Sequence, residues 1–322
     1  MTEKARFLYL SGDTLERLGI TTAQVIDSLE HVIRGAAESK VWAAPKSAVL
    51  PGDGRYLMST LSAADDPPIM AVKALLLNPR NPKQGLAALN SSIILLDSET
   101  GLPVAVMDGN WVTAVRTAGA SALAAKYLAN PDAEVLALVG CGVQGHSHLR
   151  AFADLFELKQ VRALGRGAAN RDALCRTAEA MGISAVACSS ADEALDGADI
   201  VVSSTPLTDA IEPFLDARKL KVGAFVSSLD TARPWIADSL PAIDRIVIDD
   251  LKQEAAMPSP MVDPQLVHGD LTGLVTGAID GRESKQDRTA FVFRAVPLGD
   301  LALAALAYEK AQATSQGAAI GD

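Results

Sequence analysis

The chain has 322 residues, 49% of them hydrophobic, and a formal net charge of −10 at pH 7. That length allows two domains with real cores, while no apolar run approaches the length of a bilayer span. The acidic balance excludes a general nucleic-acid binder, which needs basic surface to displace counterions, but not an anionic small molecule held by a few local cations.

The N-terminus carries only a short apolar stretch, Phe7 to Leu10, with Gly12 and Asp13 directly after it. It lacks a signal peptide's apolar core and cleavage site, so a soluble cytoplasmic protein is expected. Residues 21–39 show apolar side chains at helical spacing (Val25, Leu29, Val32, Ile33), with Thr21 or Thr22 as the cap. Strand-like runs follow: SAVLP, RYLMST, IMAVKALLL, SSIILLD and PVAVMD, several of them separated by turns such as PGDG and ETGLP. Strands in succession without intervening helices predict an antiparallel or mixed sheet.

From Thr113 to Leu128 the pattern becomes helical and Ala-rich, ending at Asn130-Pro131. The rhythm then alternates. EVLALVG, VRAL, ISAVAC, DIVVSST, AFVSSL and RIVIDD read as strands, and VQGHSHLRAFADLF, NRDALCRTAEAMG and ADEALDGA as helices. Apolar strands alternating with helices predict a parallel sheet covered on both faces. DLALAALAYEKAQA reads as a last helix and SQGAAIGD as a frayed end. Cys141, Cys175 and Cys188 are odd in number and lack CxxC spacing, so buried free thiols are expected, not a disulfide framework or a metal site.

The stretch GCGVQGHSH, residues 140–148, follows a predicted strand and opens a predicted helix. In that context Gly140, Gly142 and Gly145, with Val143 and Gln144 between them, fit a dinucleotide turn. The first glycine permits the tight turn, the second lets backbone approach a pyrophosphate, and the third allows close helix packing. The alternative is an ordinary βα turn. An acid usually stands about 20 residues on to hold the ribose diol; here Gly165 and Arg166 occupy that place, with Arg171 nearby. No carboxylate repels an extra phosphate and a guanidinium can bind one, which favours NADP(H) within an NAD(P)(H) reading. Either arginine can equally be a solvated surface charge. His146 and His148 are two apart, unsuited to a shared metal, and are expected as polar residues on the helix surface.

Three cations and one acid stand out. Lys73 lies inside IMAVKALLL and either snorkels to solvent or binds an anion. Arg116 sits among small residues in TAVRTAGAS, as a clamp for a carboxylate or phosphate would. Lys46, in AAPKSAVLP, is a weaker candidate of the same kind. Asp230 ends the strand AFVSSLD, where open parallel sheets bind ligands; it either handles a proton or caps a turn.

Over nearly its whole length the chain resembles the ornithine cyclodeaminase/mu-crystallin family. The resemblance rests on VAVMDGNWVTAVRTAGASALAAKYL, LVGCGVQGHSHLRAF, MAVKALL and TAFVFRAVPLGDLALAALAYEKA. It implies an α/β fold: a Rossmann doubly wound parallel sheet, residues 117–294, beside an α+β substrate and dimerisation domain, residues 1–116 and 295–322. It implies a homodimer acting on a small imino or amino acid, with no membrane partner. Lys73, Arg116 and, in place of a second arginine, Lys46 match the carboxylate-binding set, and Asp230 the proton-handling acid. Thr117, Ser204, Thr205 and Ser228 would border the cofactor.

Two departures bear on substrate. Tyr56 stands where ornithine cyclodeaminases carry a glutamate, and Arg294 adds a cation, beside Ala295 in place of a glycine, that would bind a second carboxylate if it faced the pocket. The expected activity is NAD(P)H-dependent reduction of a cyclic ketimine, iminopropionate or iminosuccinate. The alternatives are a cyclodeaminase-like lyase with bound NAD and a non-catalytic NADPH-dependent binder.

Overall fold

Local patterns in the chain translate into elements as follows; the computed structural model describes residues 6–206 and 211–321. Strand β1 is Phe7–Leu10, and helix α1, Gly12–Arg17, is capped by Ser11, whose side chain accepts from the Thr14 N–H. Helix α2, Thr22–Ala37, opens with a reciprocal capping box between Thr21 and Gln24. Strands β2 (Val41–Ala43), β3 (Ser47–Val49), β4 (Tyr56–Asp65), β5 (Pro68–Leu77), β6 (Leu89–Asp97) and β7 (Pro103–Asp108) follow. Helix α3 is Gly109–Leu128, β8 Val135–Val139, α4 Val143–Leu155, β9 Gln160–Leu164, α5 Ala168–Ala180, β10 Ser184–Ala187, α6 Ala191–Leu195 and β11 Ile200–Ser203. Then come β12 Phe225–Ser228, β13 Arg245–Ile248, α7 Leu251–Ala255, β14 Val267–Asp270, α8 Leu271–Thr276, β15 Thr289–Val292, α9 Pro297–Ala313 and β16 Ala318–Ile320. No helix of the described residues is long and apolar enough to cross a membrane.

The chain divides into two compact units, Met1–Arg116 with Val296–Asp322, and Thr117–Ala295. In the first, the sheet runs β16-β1-β7-β6-β5-β4-β2, with β3 also on β4. All its pairs are antiparallel except β1 with β7, so the mixed alternative of the sequence reading is the one realised. Lys73 pairs across the ladder with Thr60 and Ile93, all three buried, and α9 packs over β4 and β5. Helix α9 buries Leu301, Ala302, Leu303, Ala304 and Ala305, apolar nearly all round as a fully enclosed helix must be.

The second unit is the predicted parallel sheet, ordered β10-β9-β8-β11-β12-β15-β13-β14. Its central strands β8, β11, β12 and β15 are buried almost throughout; β8 and β11 read as nearly continuous apolar runs, whereas β15 is not among the strands read from the sequence.

Two expectations are corrected here. Helix α3 starts at Gly109, four residues before the predicted Thr113, because the Asp108 carboxylate accepts from the Asn110 N–H at 2.7 Å and caps the added turn. The expected frayed end contains β16, whose Ala318–Ile320 pair antiparallel with Tyr9–Phe7.

Candidate functional site

In the first unit, side chains distant in sequence meet around one acid. Lys73, only 2% exposed at mid-strand, does not snorkel to solvent. Its Nζ donates to Thr113 Oγ1 at 2.6 Å and to Asp300 Oδ1 at 2.9 Å. Thr113 Oγ1 itself donates to the Gly109 carbonyl at 2.6 Å, so it receives the lysine as an acceptor. Arg116 Nε donates to the same Asp300 Oδ1 at 3.0 Å. Of the Arg116 donors Asp300 takes Nε, and among the described residues the terminal nitrogens of Arg116 keep their capacity for a carboxylate. A Cβ on Gly299 would lie 3.2 Å from Arg116 Cδ, so the glycine lets the arginine stem lie against α9.

Burial pushes the Lys73 ammonium down to about 8, with Arg116 and Lys46 adding to the shift and Asp300 opposing it. Burial would raise the Asp300 carboxyl, but the Arg116 and Lys73 charges outweigh it and hold the group below the ordinary carboxylate range. Lys46 is half-buried in the β2–β3 connection, near enough to act on Lys73 through its charge. Tyr56 is half-buried at the start of β4, and burial raises its phenol. Sequence reasoning missed Asp300. Its signal was present: a single acid among Pro, Leu, Gly and Ala from 297 to 307.

In the second unit, the turn after β8 has the dinucleotide geometry residue by residue. Gly140 is left-handed at φ 112, and a Cβ there would sit 2.5 Å from Ser204 Oγ. A Cβ on Gly145 would sit 2.5 Å from the Gly140 carbonyl oxygen, so α4 packs directly on the turn. Gly142, the N-cap of α4, differs: its φ of −88 suits any residue and a Cβ would meet no protein atom. Neither packing nor backbone demands glycine there, whereas close approach of a phosphate does. Val143 is exposed at the head of the helix. Gln144 Oε1 is buried with no hydrogen-bond partner among the described residues, an orphan acceptor at the same turn. These residues fit a bound dinucleotide.

Gly165 ends the tight β9 connection, where a Cβ would sit 3.0 Å from Cys141 Sγ, so packing favours glycine over an acid. Arg166 beside it is exposed, while Arg171 is paired with Asp172 at 3.1 Å. Cys141 and Cys188 are buried and Cys175 half-buried, all three free; burial pushes the Cys141 thiol up to about 11.

Ser204 donates to the Gly140 carbonyl at 3.2 Å and so fastens the loop after β11 to the turn. Asp230, 1% exposed, gathers the same loop. Its Oδ1 accepts from Ser203 Oγ at 2.8 Å and Ser228 Oγ at 2.6 Å; its Oδ2 accepts from the Thr205 N–H and hydroxyl, both at 3.0 Å. Thr231 and Ala232 follow in left-handed conformation (φ 58 and 57), unusual for non-glycine residues. Thr117 is buried at the head of this unit's part of α3, and its carbonyl lies 3.3 Å from Ser121 Oγ.

The histidines depart from the surface expectation. His146 is half-buried with Nδ1 3.3 Å from Thr177 Oγ1. His148 is fully buried: Nδ1 lies 2.7 Å from the Gln144 carbonyl and Nε2 2.8 Å from Ser121 Oγ, which accepts from Ser227 Oγ at 2.8 Å. The Gln144 carbonyl requires a proton on Nδ1, so Nε2 accepts from Ser121. The ring thus ties α3, α4 and β12 together directly below the nucleotide turn.

Arg294 is committed within its own unit. Its Nε bonds Glu254 Oε2 at 2.7 Å, Nη2 reaches the Ser259 carbonyl at 2.5 Å, and its backbone N–H donates to Asp249 Oδ2 at 3.0 Å. The pair with Glu254 is largely shielded from solvent and neutralises the guanidinium, which removes the ground for treating it as a spare cation.

Known proteins share this architecture. Mouse ketimine reductase mu-crystallin is 31% identical over 258 residues, 79% of each chain. The structure of Thermococcus litoralis Δ1-pyrroline-2-carboxylate reductase, in complex with NADH and L-proline, superposes with a TM-score of 0.89 at 28% identity, covering 98% of this chain and 100% of that one. An archaeal alanine dehydrogenase dimer with bound NAD gives 0.88 at 27% identity, covering 98% and 99%. The family model described as the ornithine cyclodeaminase/mu-crystallin family matches residues 12–315, and the chain belongs to that family.

Proposed function

We propose that the protein reduces the C=N bond of an α-imino acid with NAD(P)H and so forms an L-amino acid. The observation that carries this reading is the pair of buried cations, Lys73 and Arg116, sharing the single acid Asp300. Two cations on one carboxylate retain a net positive charge and spare donors, which suits a substrate carboxylate. The pyrroline-2-carboxylate of the Thermococcus litoralis relative's name carries such a group.

A nicotinamide cofactor held at the Gly140–Gly145 turn would supply the hydride for C2 of the imine. Gly142 and the first N–H groups of α4 would receive its pyrophosphate, with Val143, Gln144, Thr117, Ser204, Thr205 and Ser228 bordering it. Lys73 and Arg116, helped by Lys46, would hold the α-carboxylate and polarise the C=N bond. The nitrogen takes up one proton as C2 takes the hydride. Lys73, held near 8, is suited to release a proton close to neutrality. Asp230 would stabilise the iminium or relay a proton through the Ser228 or Thr205 hydroxyl that it already holds.

The substrate side chain follows from what is missing and what is occupied. Tyr56 offers no carboxylate to a diamino acid, and Arg294 is neutralised by Glu254. Both favour a side chain without charge, such as a cyclic ketimine or iminopropionate, over ornithine or iminosuccinate. Gly165 and exposed Arg166 favour NADP(H). The deciding experiment follows the nicotinamide absorbance with cyclic ketimines, iminopropionate, iminosuccinate and diamino acids, each with NADH and NADPH. Oxidation with an uncharged imine is expected. Ammonia release from a diamino acid without cofactor turnover would replace this reading with a cyclodeaminase, and binding of NADPH without any turnover would replace it with a binder.

The active form is proposed to be a homodimer. Leu57, Leu61, Met70, Leu76 and Ile94 are exposed large hydrophobics on one face of the first sheet, placed together by the ladder registers. An apolar patch of that kind is a partner surface. Light scattering of the purified protein is expected to give twice the chain mass, and L61E to give the single mass; a monomeric wild type would end the reading.

A further inference from the structure

We propose that Asp300 is a positioning residue for carboxylate binding, locking the Lys73 ammonium and the Arg116 guanidinium side by side. The inference rests on the reading of Lys73 and Arg116 as the carboxylate clamp. One oxygen, Oδ1, accepts from both cations, so their separation is set by a single atom. That atom is itself fixed: Asp300 lies in the first turn of α9, where the helix dipole favours an acid and Pro297 starts the helix. Neighbouring Gly299 brings the arginine stem onto the same helix.

The charges facing Lys73 come from every element around it: Asp300 on α9, Arg116 on α3 and Lys46 on the β2–β3 connection. Burial and both cations drive the proton off Lys73, and Asp300 holds it on. A neutral lysine would offer a carboxylate one weak hydrogen bond in place of a charge-assisted one. Two cations to one acid leave an excess positive charge in a site under 10% exposed, which a ligand carboxylate completes.

The test compares wild type with D300N, whose amide keeps the shape and an acceptor but removes the charge. Isotopically labelled lysine side chains are titrated by NMR, with K73R identifying the Lys73 signal, and KM and kcat for the imino acid turned over are measured across the same pH range. Wild-type Lys73 is expected to titrate at about 8. In D300N the midpoint is expected to fall by about one unit or more, and KM near neutral pH to rise about tenfold or more, since one unit is a factor of ten. D300E, which restores the charge, is expected to bring the midpoint back.

A D300N protein that melts at lower temperature but keeps the wild-type Lys73 midpoint and pH dependence of KM would overturn the proposal. Should D300N not fold, the wild-type titration decides, because a Lys73 already neutral at pH 7 overturns it as well. Should the wild type reduce no imino acid, the proposed reaction fails, yet the Lys73 titration still decides what Asp300 does.

Discussion

A Cβ built on Gly140 would sit 2.6 Å from the main-chain oxygen of Ser204, so the nucleotide turn and the loop after β11 meet with no room for a side chain. Gly142, two residues on, has no such neighbour. The two glycines therefore predict opposite phenotypes. G140A adds overpacking to left-handed strain and is expected to cost about 2–5 kcal/mol of folding stability. G142A is expected to change stability by less than about 0.5 kcal/mol, as a surface substitution does, yet to weaken NAD(P)H binding about tenfold or more. Urea unfolding and calorimetric titration check both; full cofactor affinity in a folded G142A would remove Gly142 from the phosphate site.

R116K keeps the charge beside Asp300 but loses the planar fork and the Nε bond. The expected result is a rise in imino-acid KM of about 10- to 100-fold, equivalent to about 1.4–2.8 kcal/mol, with cofactor affinity unchanged. Steady-state kinetics with saturating cofactor measure it. A lysine that supports the wild-type KM would show that no bidentate contact is made.

Arg166 stands exposed beside Gly165, where a third cofactor phosphate would find a cation and no competing acid. R166S is expected to weaken NADPH about tenfold while leaving NADH within about twofold, because an exposed charge-assisted contact is worth about 1–2 kcal/mol. Equal effects on the two cofactors, or none, would remove the basis for NADP(H) preference.

The second unit was legible in sequence because buried parallel strands are nearly continuous apolar runs, and β8 and β11 are such runs. The glycine turn was legible because its three glycines stand at the spacing of a dinucleotide turn, and Gly140 and Gly145 answer local backbone or packing demands. What escaped depends on distant partners. Strand β16 exists through β1, almost the whole chain away. Asp300 looks like one more residue of an Ala-rich helix until Lys73, 227 positions earlier, is placed against it. His148 reads as a polar residue on a helix surface, yet Ser121 and the Gln144 carbonyl supply its partners inside the unit. The start of α3 was missed because Gly-Asn-Trp has little helical character, and the cap comes from Asp108.

His148 makes stability pH-dependent in a stated direction. Burial pushes its imidazole down from 6.5 to about 4. The folded state therefore resists a proton that the unfolded chain accepts. Stability from this group is fully present above about 6.5, declines as pH falls toward about 4, and declines no further below that. The total is on the order of 3 kcal/mol, about two and a half units at 1.36 kcal/mol each. H148F fills the same space beside Phe152 but cannot titrate. It also leaves the Ser121 hydroxyl and the Gln144 carbonyl without their partner, so it is expected to be about 1–3 kcal/mol less stable than wild type near neutral pH. The deficit should shrink between about pH 6.5 and 4, because only the wild type suffers the protonation penalty. Urea midpoints of the two proteins at neutral and mildly acidic pH give the comparison. Stability curves that stay parallel across that range would mean that His148 is not the neutral, buried link between α3, α4 and β12 described above.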